Sequence, residues 1–287
     1  MKTTFPPSSR HRVRLALAVA LAVPFGGTTA QAAIWGPVSA QTRQANSGLI
    51  LGYTQTHQSY TEFPPTAGLP NPMDSQTGTV PGIELGYQSQ EAHMGWGVAV
   101  NVNKGTTTYN GYRQNVQTGA LTPATVQTMN AWGGVHGWLD YGFAPSAAPN
   151  LSFAPGILVG IHSWDRNNSA NPGGYSENYN GDYAAVRLLT QYALGPVVWG
   201  LTTDVGRTLK SQMDSGLDGG TYILGNGPWT RLGLKVTYNL FAGASVFVSY
   251  SRTTFTYGQS SVHADGYREP SSKTVNNATE AGLDARF

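Results

Sequence analysis

The chain closes on Glu280-Ala281-Gly282-Leu283-Asp284-Ala285-Arg286-Phe287. Positions 281, 283, 285 and 287 are Ala, Leu, Ala and Phe, and the intervening positions are Glu, Gly, Asp and Arg. That strict period of two predicts a strand with one apolar and one charged face. A water-soluble sheet gains little from such a strand at its end. A closed transmembrane barrel turns one face to lipid and the other to its lumen.

On these residues the chain resembles Gram-negative outer-membrane β-barrel proteins. Their terminal strand carries polar-x-Gly-apolar-x-aromatic-x-aromatic, with Phe last. Glu280, Gly282, Leu283 and Phe287 meet that pattern, and Ala285 stands in place of an aromatic. The resemblance is at superfamily level and carries over no functional residues. It implies an outer-membrane location, contact with outer-membrane lipid, and handling by periplasmic chaperones and the barrel-assembly machinery. Gly282, Leu283 and Phe287 are then the membrane-insertion signal.

The other end agrees. Lys2, Arg10, Arg12 and Arg14 precede an apolar run over 15–25, and Ala30-Gln31-Ala32 offers small residues for cleavage. The run is too short to span a bilayer, which takes about 20 apolar residues, so 1–32 reads as a secretory signal peptide. Residues 33–46 then form a short periplasmic segment, and 47–287 the barrel. Of 17 basic and 15 acidic residues, four basic and no acidic ones fall within 1–32, leaving 13 against 15. The basic balance belongs to the signal, so no nucleic-acid partner is expected. With no Cys in the chain, thiolate metal sites and a Cys nucleophile are excluded.

Ten strands are read at about 47–57, 80–89, 94–107, 126–142, 150–164, 180–194, 196–210, 229–240, 244–257 and 274–287. Most reach the roughly 9–11 residues that a tilted membrane strand needs. Long connections (58–79, 108–125, 165–179, 211–228, 258–273) alternate with short ones (90–93, 143–149, 195, 241–243). Bacterial barrels show this asymmetry, with short periplasmic turns and long external loops. The fold class is therefore all-β: a closed, antiparallel, up-and-down transmembrane barrel of ten strands, with eight or twelve as alternatives.

Parity assigns the faces. Ile83, Leu85, Tyr87, Trp96, Val98, Val100, Val102, Leu232, Leu234, Val236 and Tyr238 are expected to face lipid, with Trp96, Trp199 and Tyr238 near the short turns. The ninth strand breaks its own parity: Val246, Val248 and Tyr250 set even positions outward, whereas Phe255 and Tyr257 set odd ones. A bulge between Ser251 and Thr254, with Arg252 inside, would reconcile them. Pro155 cannot donate to a ladder, so a bulge or the start of the strand is expected there.

The inward positions collect the charges. Glu84, Asp140, Arg187, Asp204, Arg231, Lys235, Glu280, Asp284 and Arg286, with His136, are the lumen-lining candidates, and His162 faces the same way. The bland reading is an ion-pair network filling the lumen, because buried charges must be paired. The functional reading is a narrow, porin-like conduit for small solutes. His136 and Asp140 lie about 13 Å apart along one strand, too far for a catalytic pair. His162, Ser163 and Asp165 lie near the external rim with nothing but residue type to suggest catalysis. No enzyme, cofactor or metal site is expected. Tyr109, Tyr112, Tyr175, Tyr179, Tyr222 and Tyr267 fall in the long connections and are the candidates for contact with surface ligands. Two functions stay open: a narrow channel or facilitator, and a non-conducting adhesin or structural barrel.

Overall fold

The computed structural model describes residues 34–64, 68–114, 120–171, 173–262 and 267–286. The signal-peptide reading of 1–32 and the terminal Phe287 lie outside them. Ten long strands form the wall: β1 Gly48–Phe63, β2 Asp74–Gln90, β3 Met94–Gln114, β4 Leu121–Tyr141, β5 Leu151–Asn167, β6 Ser176–Leu194, β7 Val197–Ser215, β8 Gly225–Phe241, β9 Ala244–Gly258 and β10 Ser271–Ala285. Each pairs antiparallel with its sequence neighbours, and β10 pairs with β1, so the ring closes. A short strand, Thr221–Ile223, adds to the outer end of β7 outside the ring. Among the described residues no helix is long and apolar enough to cross a membrane.

The outer face carries an apolar belt. On β3, exposed Trp96, Val98, Val100 and Val102 are followed by Lys104. On β7, Trp199, Leu201 and Val205 are followed by Arg207; on β9, Val246, Val248 and Tyr250 by Arg252. Eight residues of strand, at the usual rise and tilt, give the belt a height of roughly 20 Å, close to that of membrane barrels. Leu283 of the terminal strand faces out with the belt, and Glu280 and Asp284 face in.

The strands run well past the belt at the end that carries the long connections, the external end expected for an even-stranded barrel. β1 continues to Phe63 and β2 begins at Asp74, both beyond the range read from sequence. The cause is chemical. Beyond Tyr53, outward Gln55, His57, Ser59 and Thr61 alternate with inward Thr54, Thr56 and Gln58. Pairing persists, but the hydropathy contrast that marks a strand is gone.

The bulge expected in the ninth strand is absent. β9 pairs with β10 in one register, with Arg252 opposite Asn277 and Phe255 opposite Thr274. Even positions face out throughout, so Arg252 is exposed, while Phe255 and Tyr257 are buried inside. Two facts resolve the conflict. The upper lumen accepts aromatics, and Arg252 lies at the edge of the belt, where a cation costs about 0–1 kcal/mol rather than the 2–4 of the midplane. The register offset near this height lies instead on β8, between Asn226 and Trp229. A second interrupts the β6–β7 ladder between Asn180 and Asp182, beside Lys210, whose φ is 45°.

Pro155 marks neither a bulge nor a strand start. The β4–β5 ladder stops at Asp140–Gly156 and resumes as a single bridge between Phe143 and Phe153 in the same register. The missing donor removes local bonds without shifting the strand.

Candidate functional site: a lumen of paired charges

The lumen is built in layers, and glycines set its lowest charged layer. Arg187 on β6 faces Gly156 on β5, which in turn faces Asp140 on β4. A Cβ on Gly156 would fall 2.1 Å from Asp140 Oδ1. Because that space is free, Arg187 Nε reaches across β5 to Asp140 Oδ2 at 3.4 Å. On the other side Asp204 is a register partner of both Arg187 and Arg231, and Arg231 Nε holds its Oδ2 at 2.6 Å. Lys235 Nζ lies 3.4 Å from Asp284 Oδ2. Glu280 Oε2 accepts the Ser249 hydroxyl at 3.3 Å, and Glu84 lines the same wall.

Aromatic faces support the cations. Arg187 sits 5.3 Å from the Trp138 ring and Lys235 3.9 Å from Phe247. His136 stacks on Trp138 with 5.7 Å between centroids. These side chains surround a cavity of about 330 Å³, room for about ten waters or one small solute. Thus Glu84, His136, Asp140, Arg187, Asp204, Arg231, Lys235, Glu280 and Asp284 all face the lumen, and its three salt bridges take up every Arg and Lys at this level. Arg286 does not join them. It lies past the end of β10, where its Nε donates to Ser47 O at 3.1 Å on the periplasmic rim.

At the mouth opposite the long connections lies a helix from the segment read as a short periplasmic one. Helix α1, Ala40–Ala45, is capped by Ser39, whose Oγ accepts from Thr42 N. It lies inside the barrel, where Ala45 packs against Ala193 and Val198. Asn46 and Gln191 exchange two amide bonds, of 2.7 and 3.1 Å. Gln44 donates to Phe241 O at 2.6 Å, and Asn239 to Gln41 O at 3.2 Å.

The external end holds a seal that sequence reasoning missed. Tyr60, Trp164, Tyr179, Tyr257, Phe255 and Trp229 belong to one buried cluster. Trp164 lies 5.0 Å from both Tyr60 and Tyr179, and Tyr179 stacks on Tyr257. Beside them Asn130 is saturated: it accepts from Gln76 and from Trp164 Nε1 and donates to Thr107, each at 2.7 Å. Gln76, Asn130, Thr107 and Thr128 are fully buried at this level.

Above the aromatics, Arg166 holds Glu62 at 3.0 Å, Asp74 at 2.9 Å and Glu177 at 2.8 Å. All four side chains are more than 90% buried. From the last long connection, Glu269 accepts the Tyr179 hydroxyl at 2.9 Å. Three carboxylates thus share one guanidinium, with Glu269 close by, well outside the belt. Burial, with the nearby Asp74 charge, holds Glu62 up at about 7. Burial, then Glu62 and Glu177, raises Glu269 well above the usual range. Burial opposes the charge on Arg166, but the three carboxylates outweigh it.

Several loop candidates belong to this seal. Tyr179 and Tyr222 are buried, and the Tyr109 ring lies 5.2 Å under Arg166. They are therefore corrected from open external contacts: the long strands continue into the connections where Tyr109 and Tyr179 were placed, and Tyr222 packs on the aromatic cluster from the short strand outside the ring. Tyr112 and Tyr267 remain exposed, and Tyr175 is half-buried. His162 faces inward and hydrogen-bonds the Tyr257 hydroxyl, while Ser163 and Asp165 face out, so strand alternation keeps those three apart. Among the described residues no three His, Asp or Glu side chains are placed to hold a metal ion. The signal that could have revealed the seal is the run of inward aromatics with no polar alternation: Trp164, Tyr179, Phe255 and Tyr257.

No protein-family model and no curated protein sequence matches the chain. Solved structures do. The outer-membrane protease OmpT from Escherichia coli aligns with a TM-score of 0.54 at 12% identity, over 84% of this chain and 96% of that one. The transport unit of the autotransporter AIDA-I from E. coli aligns at 0.45 and 11%, over 87% and 98%. The P. putida toluene transporter TodX aligns at 0.32 and 11%, over 84% and 90%. At 12% identity the alignment with OmpT is a likeness of fold alone, a closed antiparallel β-barrel.

Proposed function

We propose that this chain is a closed-lumen barrel of the bacterial outer membrane that acts as a surface or structural protein through its external end. One observation supports the reading: α1 packs inside one mouth of the barrel, and Gln76, Asn130 and Tyr179 are fully buried beside Arg166 at the other end. The external rim meanwhile exposes Phe63, Leu69, Leu217, Ile223, Val262 and Tyr267, apolar surface suited to a partner. Planar-bilayer recording tests the reading. A silent barrel whose loop deletions abolish surface binding supports it.

A second reading, the narrow conduit for small solutes, has the 330 Å³ cavity and its ring of paired charges in its favour. Discrete conductance steps whose ion preference shifts in Arg231→Gln and Lys235→Gln would establish that reading and overturn the first. Catalysis has no comparable support; hydrolysis of lipid or peptide by the purified barrel would reopen it.

A further inference from the structure

The outward cations at the external edge of the belt are not balanced by protein. Arg207 on β7 and Arg252 on β9 are exposed and flank β8. Each follows an apolar belt residue of its strand, Val205 and Tyr250, and on β7 exposed Leu209 lies beyond Arg207. Across β8, Arg207 stands opposite Pro228 and Arg252 opposite Leu232, with outward Thr230 between. Two strand spacings and four residues of offset place their Cα atoms about 16 Å apart, so two long side chains can converge on one neighbour. Exposed Lys210 adds a third cation beyond Arg207. Among the described residues, neither Arg207 nor Arg252 makes a side-chain hydrogen bond or ion pair. The outward acids Asp182 on β6 and Asp165 on β5 pair with neither.

Three properties coincide at this place: the outer part of an apolar belt, two guanidinium groups, and no ion pair from either guanidinium to a described protein acid. The anion that meets a membrane protein at that height is a lipid headgroup phosphate. Guanidinium binds it through two parallel N–H···O bonds, and cations beside a bilayer attract anionic lipid. We infer that Arg207 and Arg252 form a binding site for a phosphorylated lipid headgroup of the external leaflet. The site lies on the outer wall and is independent of whether the lumen conducts.

The test compares the barrel with R207Q/R252Q in phosphatidylcholine nanodiscs containing phosphatidic acid or, separately, sulfatide as a phosphate-free anion. Native mass spectrometry reads the lipid retained. Phosphatidic acid is expected to be retained over phosphatidylcholine. The double variant should lose roughly 30-fold in retention, about fivefold per charge. R207K/R252K should fall between, since Lys keeps the charge without the planar fork. Heat-modifiable gel migration reports folding of each variant, and R252Q alone carries the test should the double variant fail to fold. Equal retention of phosphatidic acid and phosphatidylcholine overturns the inference. So does equal retention by wild type and variant, or sulfatide held as well as phosphatidic acid.

Discussion

Arg166 Nη1 lies 3.0 Å from Glu62 Oε1, with both side chains buried at the external end of the barrel. The contact joins β5 to β1 across the lumen, and the same guanidinium reaches Asp74 on β2 and Glu177 on β6. One cation therefore ties four strands together above the aromatic layer. Replacing it with Met keeps the bulk but strands three buried carboxylates. Loss of one partner from a buried ion pair costs about 3–5 kcal/mol. Hydrogen exchange should show Arg166→Met opening the upper ends of β1, β2, β5 and β6 while the belt stays protected. Unchanged protection there would mean that the seal does not depend on this ion cluster.

The same cluster should respond to pH. Burial and neighbouring acids raise Glu62 to about 7 and raise Glu269 further. A carboxyl raised on folding binds more protons folded than unfolded, so its contribution is complete below the unfolded value of about 4.5. It is lost as pH climbs through the folded value, near 7 for Glu62. The external seal should therefore be tighter at pH 5 than at pH 8. Exchange of the amides around 60–62 and 177–179 reads this directly, after correction for intrinsic rates. Glu62→Gln should flatten most of the profile, and a profile that it leaves unchanged would assign the titration elsewhere.

Much of this fold is legible in sequence, and the reasons for the misses are physical. Within the belt, Trp96, Val98, Val100 and Val102 alternate against Gly97, Ala99, Asn101 and Asn103, because lipid lies on one side and a polar lumen on the other. Above the belt, water lies outside and Thr, Gln and Asn are found on both faces, so strand ends were read as loops. The lumen charges followed from parity, but their partners did not. That Arg187 reaches Asp140 across Gly156 depends on a register between strands that one sequence does not specify. The conflict at Arg252 came from applying the midplane cost to a residue at the edge.

The terminal strand carries a packing constraint besides its sorting pattern. Gly282 pairs with Phe247 on β9 and with Gly52 on β1. A Cβ at 282 would lie 2.6 Å from Phe247 Cζ and 2.4 Å from Leu51 O. The first clash is with a side chain, the second with backbone. Gly282→Ala should cost about 1–3 kcal/mol through overpacking. Phe247→Ala in the same chain should recover only part of it, because the carbonyl clash remains. Urea titrations of the refolded barrel measure both. Complete rescue would show that the ring alone excludes the methyl group.

The two stops should be separable, because they touch different ends of the lumen. Deleting 34–46 removes α1 and Asn46, and with them the paired amide bonds to Gln191. It leaves Arg166, Tyr179 and Asn130 untouched. The chain has no Cys, so Gln191→Cys provides a unique thiol at the inner end of β6, beside the plug. In the full chain that thiol should label slowly, since residue 191 is buried beneath Asn46. In the deletion it should label rapidly from the periplasmic side, while bilayer recordings remain silent. Rapid labelling together with conductance would mean that the external layer admits ions once the plug is gone. The plug would then be the gate of a channel, and the closed-lumen reading would fail. Slow labelling in both forms would place the barrier within the wall of the lumen, above α1.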